Sequence, residues 1–154
     1  MIIRLANEHD IPGLLRLLRQ VGQVHHEIRP DIFRDGALKY DENALAELLR
    51  DENRPVFVSA RDDQILGYCF CIRRGFGDGV MVPRKEIYID DLCVDETCRG
   101  QGIATALYRH VCAWAKEEGC AFITLNVWNG NDSAMAFYEK MGMRPRSITM
   151  DFSL

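Results

Sequence analysis

The sequence predicts a mixed α/β fold, in which a mostly antiparallel central sheet is flanked by helices. Segments with the two-residue apolar period of strands are interspersed with segments whose apolar residues recur every three or four positions, as in helices. One strand-helix-strand unit, residues 86–127, requires a parallel pair of strands within that sheet. The 154 residues contain no repeat or linker, so we expect one domain, residues 1–154.

The first elements are a strand at residues 2–5 and a helix capped by Asn7. Asp10 stands three residues after the cap, an arrangement typical of a capping box. The apolar residues at helical spacing are Ile11, Leu14, Leu15, Leu18 and Val21. We expect this helix to end near Gly22, because the polar stretch at residues 25–31 is typical of a loop or a broken helix.

A second helix at residues 43–49 and an antiparallel hairpin follow. The strands of the hairpin are predicted at residues 56–58 and 65–72, with a turn at 61–63. Three glycines within residues 75–79 indicate a flexible connection to the next strand.

The C-terminal half alternates strands and helices. The central strand is predicted at residues 86–94. The helix after it has a buried stripe and ends at Gly119; the stripe is Ala104, Leu107, Val111 and Trp114 or Ala115. The last elements are a strand at 122–127, a helix from Asn131 or Asp132 through Lys140 that Gly142 ends, and an alternating strand at 148–152.

Charge and hydropathy exclude some classes of function. A net charge of −4 gives no general attraction for nucleic acid and mildly favours cationic partners. No charge-free apolar run approaches the roughly 18 residues of a membrane-spanning helix, and Arg4 stands too early for a signal peptide. We therefore expect a cytoplasmic protein with no nucleic-acid or membrane partner.

The six cysteines are expected to be reduced and mostly buried. A chain of this length can bury a sizeable core without disulfides. Cys69 and Cys71 share one face of a strand, but no second Cys or His pair stands at zinc-site spacing, so no metal is expected. The other four are Cys93, Cys98, Cys112 and Cys120.

A glycine-rich turn at residues 97–104 joins the central strand to the following helix. Gly100, Gly102 and Ala104 let a ligand approach the backbone, and the free N–H groups of a first helical turn attract anions. A Rossmann fingerprint would need glycine or alanine where Thr105 stands, and the Lys-Ser/Thr of a Walker loop is absent. From these residues alone, a phosphate site and a ligand-free helix start are the alternatives.

Three segments of the C-terminal half resemble the GNAT acetyltransferase superfamily. The run Arg99-x-x-Gly102-x-Ala104 is similar to its pyrophosphate-binding motif, and residues 88–94 resemble its central strand. The third segment carries, in the order and spacing of the family, Asn131, Ala134, Phe137, Tyr138 and Gly142. Met143 stands where the family has phenylalanine, a departure that affects packing more than chemistry.

The resemblance implies acetyl-CoA as cosubstrate, held in a cleft where residues 86–94 and 122–127 splay apart. The diphosphate would lie on the backbone of residues 100–104, and pantetheine would pair with the backbone of residues 92–94. The implied cofactor-binding residues are Leu92, Cys93, Val94, Arg99, Gly100, Gln101, Gly102, Ile103, Ala104 and Asn131. Asn131 is equally a good helix N-cap, and the two roles are compatible.

Acetyl transfer needs an amine that is neutral when it attacks. An alkylamine with a pKa of about 10.4 is free base in about one of 2,500 molecules at pH 7, so a carboxylate or an ordered water must take the proton. Alternation along the central strand places Glu86 and Asp90 on one face and Asp91 on the other, unless a bulge intervenes. Asp90 resembles in position the acid of spermidine/spermine-type acetyltransferases and is the first choice as proton acceptor. Solvated or salt-bridged structural acids are the alternative.

Tyr138 is the candidate proton donor to the leaving thiolate of CoA. The resemblance implies this role, and a phenol is a suitable donor. The alternative is an aromatic pair with Phe137 that packs on the inner face of a helix.

On the acceptor side, the resemblance implies residues from 24–33 and from the connection at 73–85. His25 and His26 therefore join Glu86 and Asp91 as substrate-binding candidates. We expect the primary amine of a small cationic molecule. A protein N-terminus or lysine as acceptor, and a non-catalytic acyl-CoA-binding module, are the alternatives. The strand at 148–152 would be able to pair across a homodimer.

Overall fold

A computed structural model describes residues 1–154 and contains one five-stranded sheet. Its strands, adjacent in this order, are β1 (Ile2–Leu5), β2 (Val56–Arg61), β3 (Gln64–Phe76), β4 (Arg84–Val94) and β5 (Phe122–Leu125). The pairs from β1 to β4 are antiparallel, and β5 is parallel to β4. The predicted mixed, mostly antiparallel sheet is confirmed.

Helices cover both faces of this sheet. They are α1 (Ile11–Ile28), α2 (Glu42–Leu48), α3 (Ile103–Glu117) and α4 (Asp132–Lys140), with 3₁₀ turns at Glu8–Asp10 and Glu96–Cys98. The layer under α1 and α2 includes Leu14, Leu17, Leu45, Tyr68 and Phe70. The layer under α3 includes Cys69, Ile87, Ile89, Leu107 and Val111. Over most of β3 and β4, consecutive side chains thus point alternately to the layer under α1 and α2 and to the layer under α3.

Helix α1 is longer than the sequence predicts. Asn7 forms the expected capping box with Asp10 in the 3₁₀ turn that leads into it. The predicted end near Gly22 is wrong, because the helix continues to Ile28. Glycine costs about 1 kcal/mol in a helix relative to alanine, but here it lets the Ala37 carbonyl approach to 3.1 Å from the position of a Cβ. Packing of the following chain therefore stabilises a helix that propensity alone would end.

A β-bulge interrupts β4 at its two aspartates. Phe70 and Cys71 are consecutive in β3. Their partners in β4 are Asp91 and Ile89, which leaves Asp90 as an additional residue. Both aspartates lie on the α1 side of the sheet, where each carboxylate accepts a hydrogen bond from a tyrosine. Strict alternation, which would separate the two aspartates, does not hold here.

The predicted strand at residues 148–152 is absent, and this expectation is wrong. Residues 143–154, the C-terminal segment, have no regular secondary structure. A strand needs a neighbouring backbone, and β5 offers only four residues. The segment exposes alternate apolar side chains: Ile148, Met150, Phe152 and Leu154. Two ion pairs connect it to the rest of the chain, Arg146 with Glu86 and Asp151 with Arg29.

All six cysteines are free thiols, as expected. Three are buried and three are half-buried. Neither α1, the longest helix, nor any other is apolar enough over the length needed to cross a bilayer.

Candidate active site

A cleft opens where β4 and β5 separate. Their last paired residues are Ile89 and Leu125, and β5 ends there, two residues earlier than predicted. Asp90 is the first residue of β4 beyond this parallel pairing, whereas β3 stays paired with β4 as far as Val94. Backbone groups along one edge of residues 90–94 are therefore free to pair with an extended ligand.

The glycine-rich turn lies just beyond the C-terminal end of β4. Gly100 and Gly102 have φ values of 77° and 78°, which favour glycine, and open space surrounds both positions. Gly102 is the N-cap of α3 and provides no capping side chain, so the first N–H groups of the helix lack a side-chain acceptor. Arg99 is exposed in the same turn. Together, free N–H groups, open space and a cation fit a diphosphate.

The other predicted residues of this turn and of the strand differ in burial. Gln101 is exposed, Ala104 is half-buried and Ile103 is buried. Leu92 and Val94 pack in the layer under α3, and the buried Cys93 packs in the layer under α1. The side chains of Leu92, Cys93 and Val94 thus belong to the two cores, and only their backbone is available to a ligand.

Asp90 is held by groups from the N-terminal half of the chain. The Tyr40 hydroxyl donates a hydrogen bond of 2.8 Å to its carboxylate, and Lys39 Nζ lies 2.9 Å from the same oxygen. The Arg54 guanidinium is 3.9 Å away. Lys39 and Tyr40 belong to the α1–α2 loop, residues 29–41. Asp90 therefore holds this loop at the point where β4 and β5 begin to separate, which we call the head of the cleft.

Asp91 has a different environment. Its carboxylate accepts a hydrogen bond of 2.7 Å from the Tyr68 hydroxyl and forms no ion pair. Burial raises the pKa of Asp91 from 3.8 to about 6, and the hydrogen bond from Tyr68 offsets this only in part. A carboxylate with this pKa is mostly ionised at neutral pH and is a stronger base than an ordinary aspartate.

Glu86 lies apart from the two aspartates. It stands four residues before Asp90 in β4, a distance of about 13 Å along a strand. Its buried carboxylate lies 2.7 Å from Arg84 and 3.0 Å from Arg146. Burial raises the pKa of Glu86, but the hydrogen bonds from the two arginines hold it below the usual value. The structure thus pairs Glu86 with arginines and does not bring it to the head of the cleft. The β3–β4 connection lies at this same end of β4.

Tyr138 lies on α4 beside two other aromatic rings. Its ring centre is 5.1 Å from that of Phe137 and 6.3 Å from that of Tyr108. Burial raises the pKa of Tyr138, and the charges of Cys69 and Asp91 act in the same direction. The phenol therefore stays protonated at neutral pH and keeps a proton that it is able to donate.

Asn131 is the N-cap of α4. Its Oδ1 accepts a hydrogen bond of 3.3 Å from the Ala134 N–H, so the capping role is confirmed. The cap uses only the oxygen, and the amide nitrogen remains available to donate to a ligand.

His25 and His26 lie in the last turn of α1, so the loop or broken helix predicted at residues 25–31 is wrong for its first four residues, which continue the helix. The His25 ring packs 5.0 Å from that of Phe33, and burial lowers the pKa of His25. His26 Nδ1 lies 2.7 Å from the Phe33 carbonyl oxygen. Both histidines thus support the α1–α2 loop. No group of three or more His, Cys, Asp or Glu side chains is arranged to hold a metal ion.

The sequence pattern does not identify three residues at the head of the cleft: Lys39, Tyr40 and Tyr68. Tyr40 reaches Asp90 across 50 positions of the chain from a loop without a motif. No periodicity in a single sequence reports such a contact. Tyr68 carries a usable signal, since it lies on a strand with a two-residue period, but its position opposite Asp91 depends on the bulge.

Comparison of the sequence with a family model and with named proteins finds acetyltransferases. The acetyltransferase (GNAT) family model matches residues 21–143. The chain is similar to thialysine N-epsilon-acetyltransferase of Sus scrofa, with 27% identity over 150 residues that cover 94% of this chain and 84% of that protein. An uncharacterized N-acetyltransferase of Mycobacterium bovis is 31% identical over 100 residues, 65% of this chain and 59% of its own.

Solved structures share the fold over the whole chain. A crystal structure of a mutant BH1408 protein from Bacillus halodurans has a TM-score of 0.95 and 34% identity, covering 100% of this chain and 99% of its own. An aminoglycoside acetyltransferase from an uncultured soil metagenomic sample, in complex with sisomicin, has a TM-score of 0.74 and 21% identity, with coverage of 99% and 95%. Because the family model spans well over half of the residues, this chain belongs to the acetyltransferase (GNAT) family.

Proposed function

We propose that the protein transfers the acetyl group of acetyl-CoA directly to the primary amine of a small cationic molecule. The observation that carries the proposal is the aspartate pair at the head of the β4–β5 cleft, where the bulge turns both carboxylates to one side. Neighbouring carboxylates attract a cation and are able to accept the proton that an amine must lose before it attacks. Family membership supports the choice of acetyl donor.

Acetyl-CoA, when bound, supplies an acetyl group activated as a thioester. The N–H groups and Arg99 of the glycine-rich turn hold the diphosphate. Because this turn follows the C-terminal end of β4, a pantetheine that pairs with residues 92–94 runs back along the strand, and its reactive end reaches Asp90. The Asn131 amide nitrogen donates a hydrogen bond to the same chain of amides.

The aspartates divide the work on the acceptor amine. Asp90, already in contact with cationic groups, attracts the ammonium form. Asp91 carries no ion pair and has a pKa of about 6, so it is the better acceptor of the proton near neutral pH. Asp90 as the proton acceptor, the choice that the sequence favours, stays a prediction, and the pH profiles described in the Discussion distinguish the two.

Tyr138 donates a proton to the departing sulfur. Its raised pKa keeps the phenol protonated. A thiol with a pKa of about 8.5 is a good leaving group even without assistance, so the donor contributes modestly.

The acceptor class is argued from charge and from a relative. A paired carboxylate site suits an amine that carries further positive charge. The similar Sus scrofa protein is named for a thialysine N-epsilon group, the terminal amine of a small cationic amino acid. A small amine is therefore proposed ahead of a protein N-terminus or a lysine side chain.

The experiment that tests this function measures free CoA released from acetyl-CoA across a panel of acceptors. The panel contains thialysine, lysine, spermidine, an aminoglycoside and a peptide with a free N-terminus and one lysine. Release with a small polyamine or amino acid supports the proposal. Release with the peptide alone makes the protein a protein acetyltransferase. Acetyl-CoA binding without release on any acceptor makes it a binding module.

The homodimer remains part of the proposal. From residue 148 onward the C-terminal segment alternates apolar and polar residues, and its apolar side chains there are exposed: Ile148, Met150, Phe152 and Leu154. An extended, amphipathic segment of this kind gains stability by pairing with the sheet edge of a second copy.

A further inference from the structure

The side-chain amine of Lys39, a residue of the α1–α2 loop, lies at the head of the cleft. Its Nζ lies 2.9 Å from a carboxylate oxygen of Asp90 and 3.5 Å from the main-chain carbonyl oxygen of the same residue. Asp90 is the first residue of β4 without a partner in β5. The ammonium of Lys39 therefore lies at the place where the reactive end of the donor is proposed to arrive.

The loop that carries this lysine is held in place by its neighbour. The ring of Tyr40 stacks on that of Phe70 with 5.6 Å between centres. Its hydroxyl donates to Asp90 and accepts a hydrogen bond of 2.6 Å from Arg54. A side chain next to such an anchor loses little freedom when it reaches the cleft, and held proximity strongly accelerates a transfer reaction.

From this geometry we propose that the protein acetylates itself on Lys39, with the lysine occupying the subsite of the acceptor amine. The inference rests on the proposed function, because acetyl-CoA is the donor. The neutral Nζ attacks the thioester carbonyl, the new C–N amide bond forms, and the C–S bond breaks to release CoA. The proton that Nζ loses passes to the Asp90 carboxylate and from there to solvent, while the sulfur leaves as a thiolate or takes a proton from Tyr138.

The rate of this reaction rises with pH. Burial lowers the pKa of Lys39, but the hydrogen bond that Nζ donates to Asp90 and the charges of Asp90, Tyr40 and Asp91 together raise it above its ordinary value, so the neutral form of Lys39 is scarce at pH 7. The groups that face the amine and titrate or carry charge are His25 of α1, Tyr40 of the loop, Arg54 before β2, and Asp90 and Asp91 of β4. Three of these are anionic or become so as pH rises, and they hold the proton on Lys39 into the alkaline range.

The chain offers a clean test because it has only four lysines, Lys39, Lys85, Lys116 and Lys140. All four are exposed, so exposure alone favours none of them. The protein is incubated with acetyl-CoA and no added amine, at pH 7 and pH 9, and acetyl groups are located by peptide mass spectrometry. We expect one acetyl group on Lys39, acquired at least about tenfold faster than on any other lysine because it is held at the cleft. Added spermidine or thialysine should slow this modification by competition.

Matched variants separate self-acetylation from chemical acetylation. Lys39→Arg keeps the positive charge beside Asp90 but removes the acetylated site, whereas Lys116→Arg makes the same change on the outer face of α3 and should leave the modification intact. Gly102→Val, which disturbs the donor site, should reduce the rate on Lys39 to that of the other three lysines. Equal rates on all four lysines, or an unchanged rate in Gly102→Val, would overturn the inference.

The failure of this inference is distinguishable from that of the proposed function. If CoA is released with free amines but Lys39 stays unmodified, the proposed acetyltransferase function is supported and the self-acetylation is excluded. If neither free amines nor Lys39 are acetylated, both proposals fall.

Discussion

Two neighbouring aspartates of β4 differ more in their surroundings than in their chemistry. Asp90 is matched by Lys39 and Tyr40, so its charge is balanced within the chain. Asp91 is half-buried beside the hydroxyl of Tyr68 and forms no ion pair. The environment of each aspartate, and not its residue type, therefore underlies the different roles proposed for the two carboxylates.

Substituting each aspartate by asparagine separates the two roles. The variant that lacks the proton acceptor should lose kcat/KM most at low pH, where free amine is scarcest, and recover as pH approaches the pKa of the amine. We expect this profile for Asp91→Asn. Asp90→Asn should instead show a raised KM with a defect of similar size at every pH. The measurement is kcat/KM from pH 6 to pH 10 for both variants, and the reverse pattern would return the base to Asp90.

The raised pKa of Asp91 also predicts how the free energy of unfolding depends on pH. Its pKa is about 6 in the folded chain against 3.8 for the free side chain, so the folded state binds the proton more tightly. Its contribution to the free energy of unfolding is intact below pH 3.8 and is lost as pH rises through about 6. Asp91→Asn keeps an acceptor for Tyr68 without the charge, and should raise the free energy of unfolding by about 1 to 3 kcal/mol at pH 8. Urea unfolding at pH 4 and pH 8 checks this, since the gain should shrink at pH 4.

Tyr138→Phe tests the proton donor without changing the packing of the ring. We expect kcat to fall by about 10- to 100-fold, the lower end for a general acid, because thiolate is a tolerable leaving group. The melting temperature and the affinity for acetyl-CoA should stay the same. Tyr138→Ala should in addition lower the melting temperature by leaving a cavity between Phe137 and Tyr108. Wild-type turnover in the phenylalanine variant, where chemistry limits the rate, would make Tyr138 a packing residue.

Among the secondary-structure elements, the sequence predicts correctly those features that depend on residues close together in the chain. The capping box at Asn7 and the glycine-rich start of α3 depend on neighbours within a few positions, and both form as expected. Three features depend on distant chain. Helix α1 passes through Gly22 because the α1–α2 loop packs against it, the bulge at Asp90 depends on the register with β3, and residues 148–152 find no strand to pair with. None of these partners can be identified from periodicity.

The two ends of α3 provide a matched pair of glycines for testing the donor site. Gly102 and Gly119 have φ values of 78° and 77°, and both are surrounded by open space. A β-branched residue at either position should cost about 1 to 3 kcal/mol in backbone strain. Only Gly102→Val should also abolish acetyl-CoA binding, because only that end carries the free N–H groups. Calorimetric titration of both folded variants decides, and equal affinities would remove the donor site from this turn.

At the scale of the whole molecule, the C-terminal segment stands out because it has no regular secondary structure and exposes several apolar side chains. The apolar side chains of its last seven residues are almost fully exposed, for example Ile148 at 82% and Phe152 at 87%. Its ion pairs with Glu86 and Arg29 come from two different elements, β4 and the start of the α1–α2 loop. The exposed apolar side chains between and beyond these ion pairs are the surface that the proposed second copy would cover.

Removing residues 147–154 tests the proposed dimer. This truncation keeps Arg146 and its ion pair with Glu86 while deleting every exposed apolar residue of the segment. We expect light scattering at micromolar concentration to give the mass of a dimer for the full chain and of a monomer for the truncated one. Thr149→Ala, which leaves the apolar residues in place, is the control and should stay dimeric. A monomer mass for the full chain would exclude the dimer.

The bulge in β4 gives the chain a tolerance to deletion that central strands rarely have. Ile87 and Ile89 before it, and Leu92 and Val94 after it, all pack on the α3 side. Removal of one aspartate would restore an uninterrupted two-residue period and leave these four side chains where they are. The second acid is thus an insertion that the sheet does not need for its cores. A sequence that loses one of the two codons would keep the apolar faces of its sheet and lose one set of carboxylate contacts, either those with Tyr40 and Lys39 or that with Tyr68. The glycine-rich turn proposed to hold the donor would be unchanged.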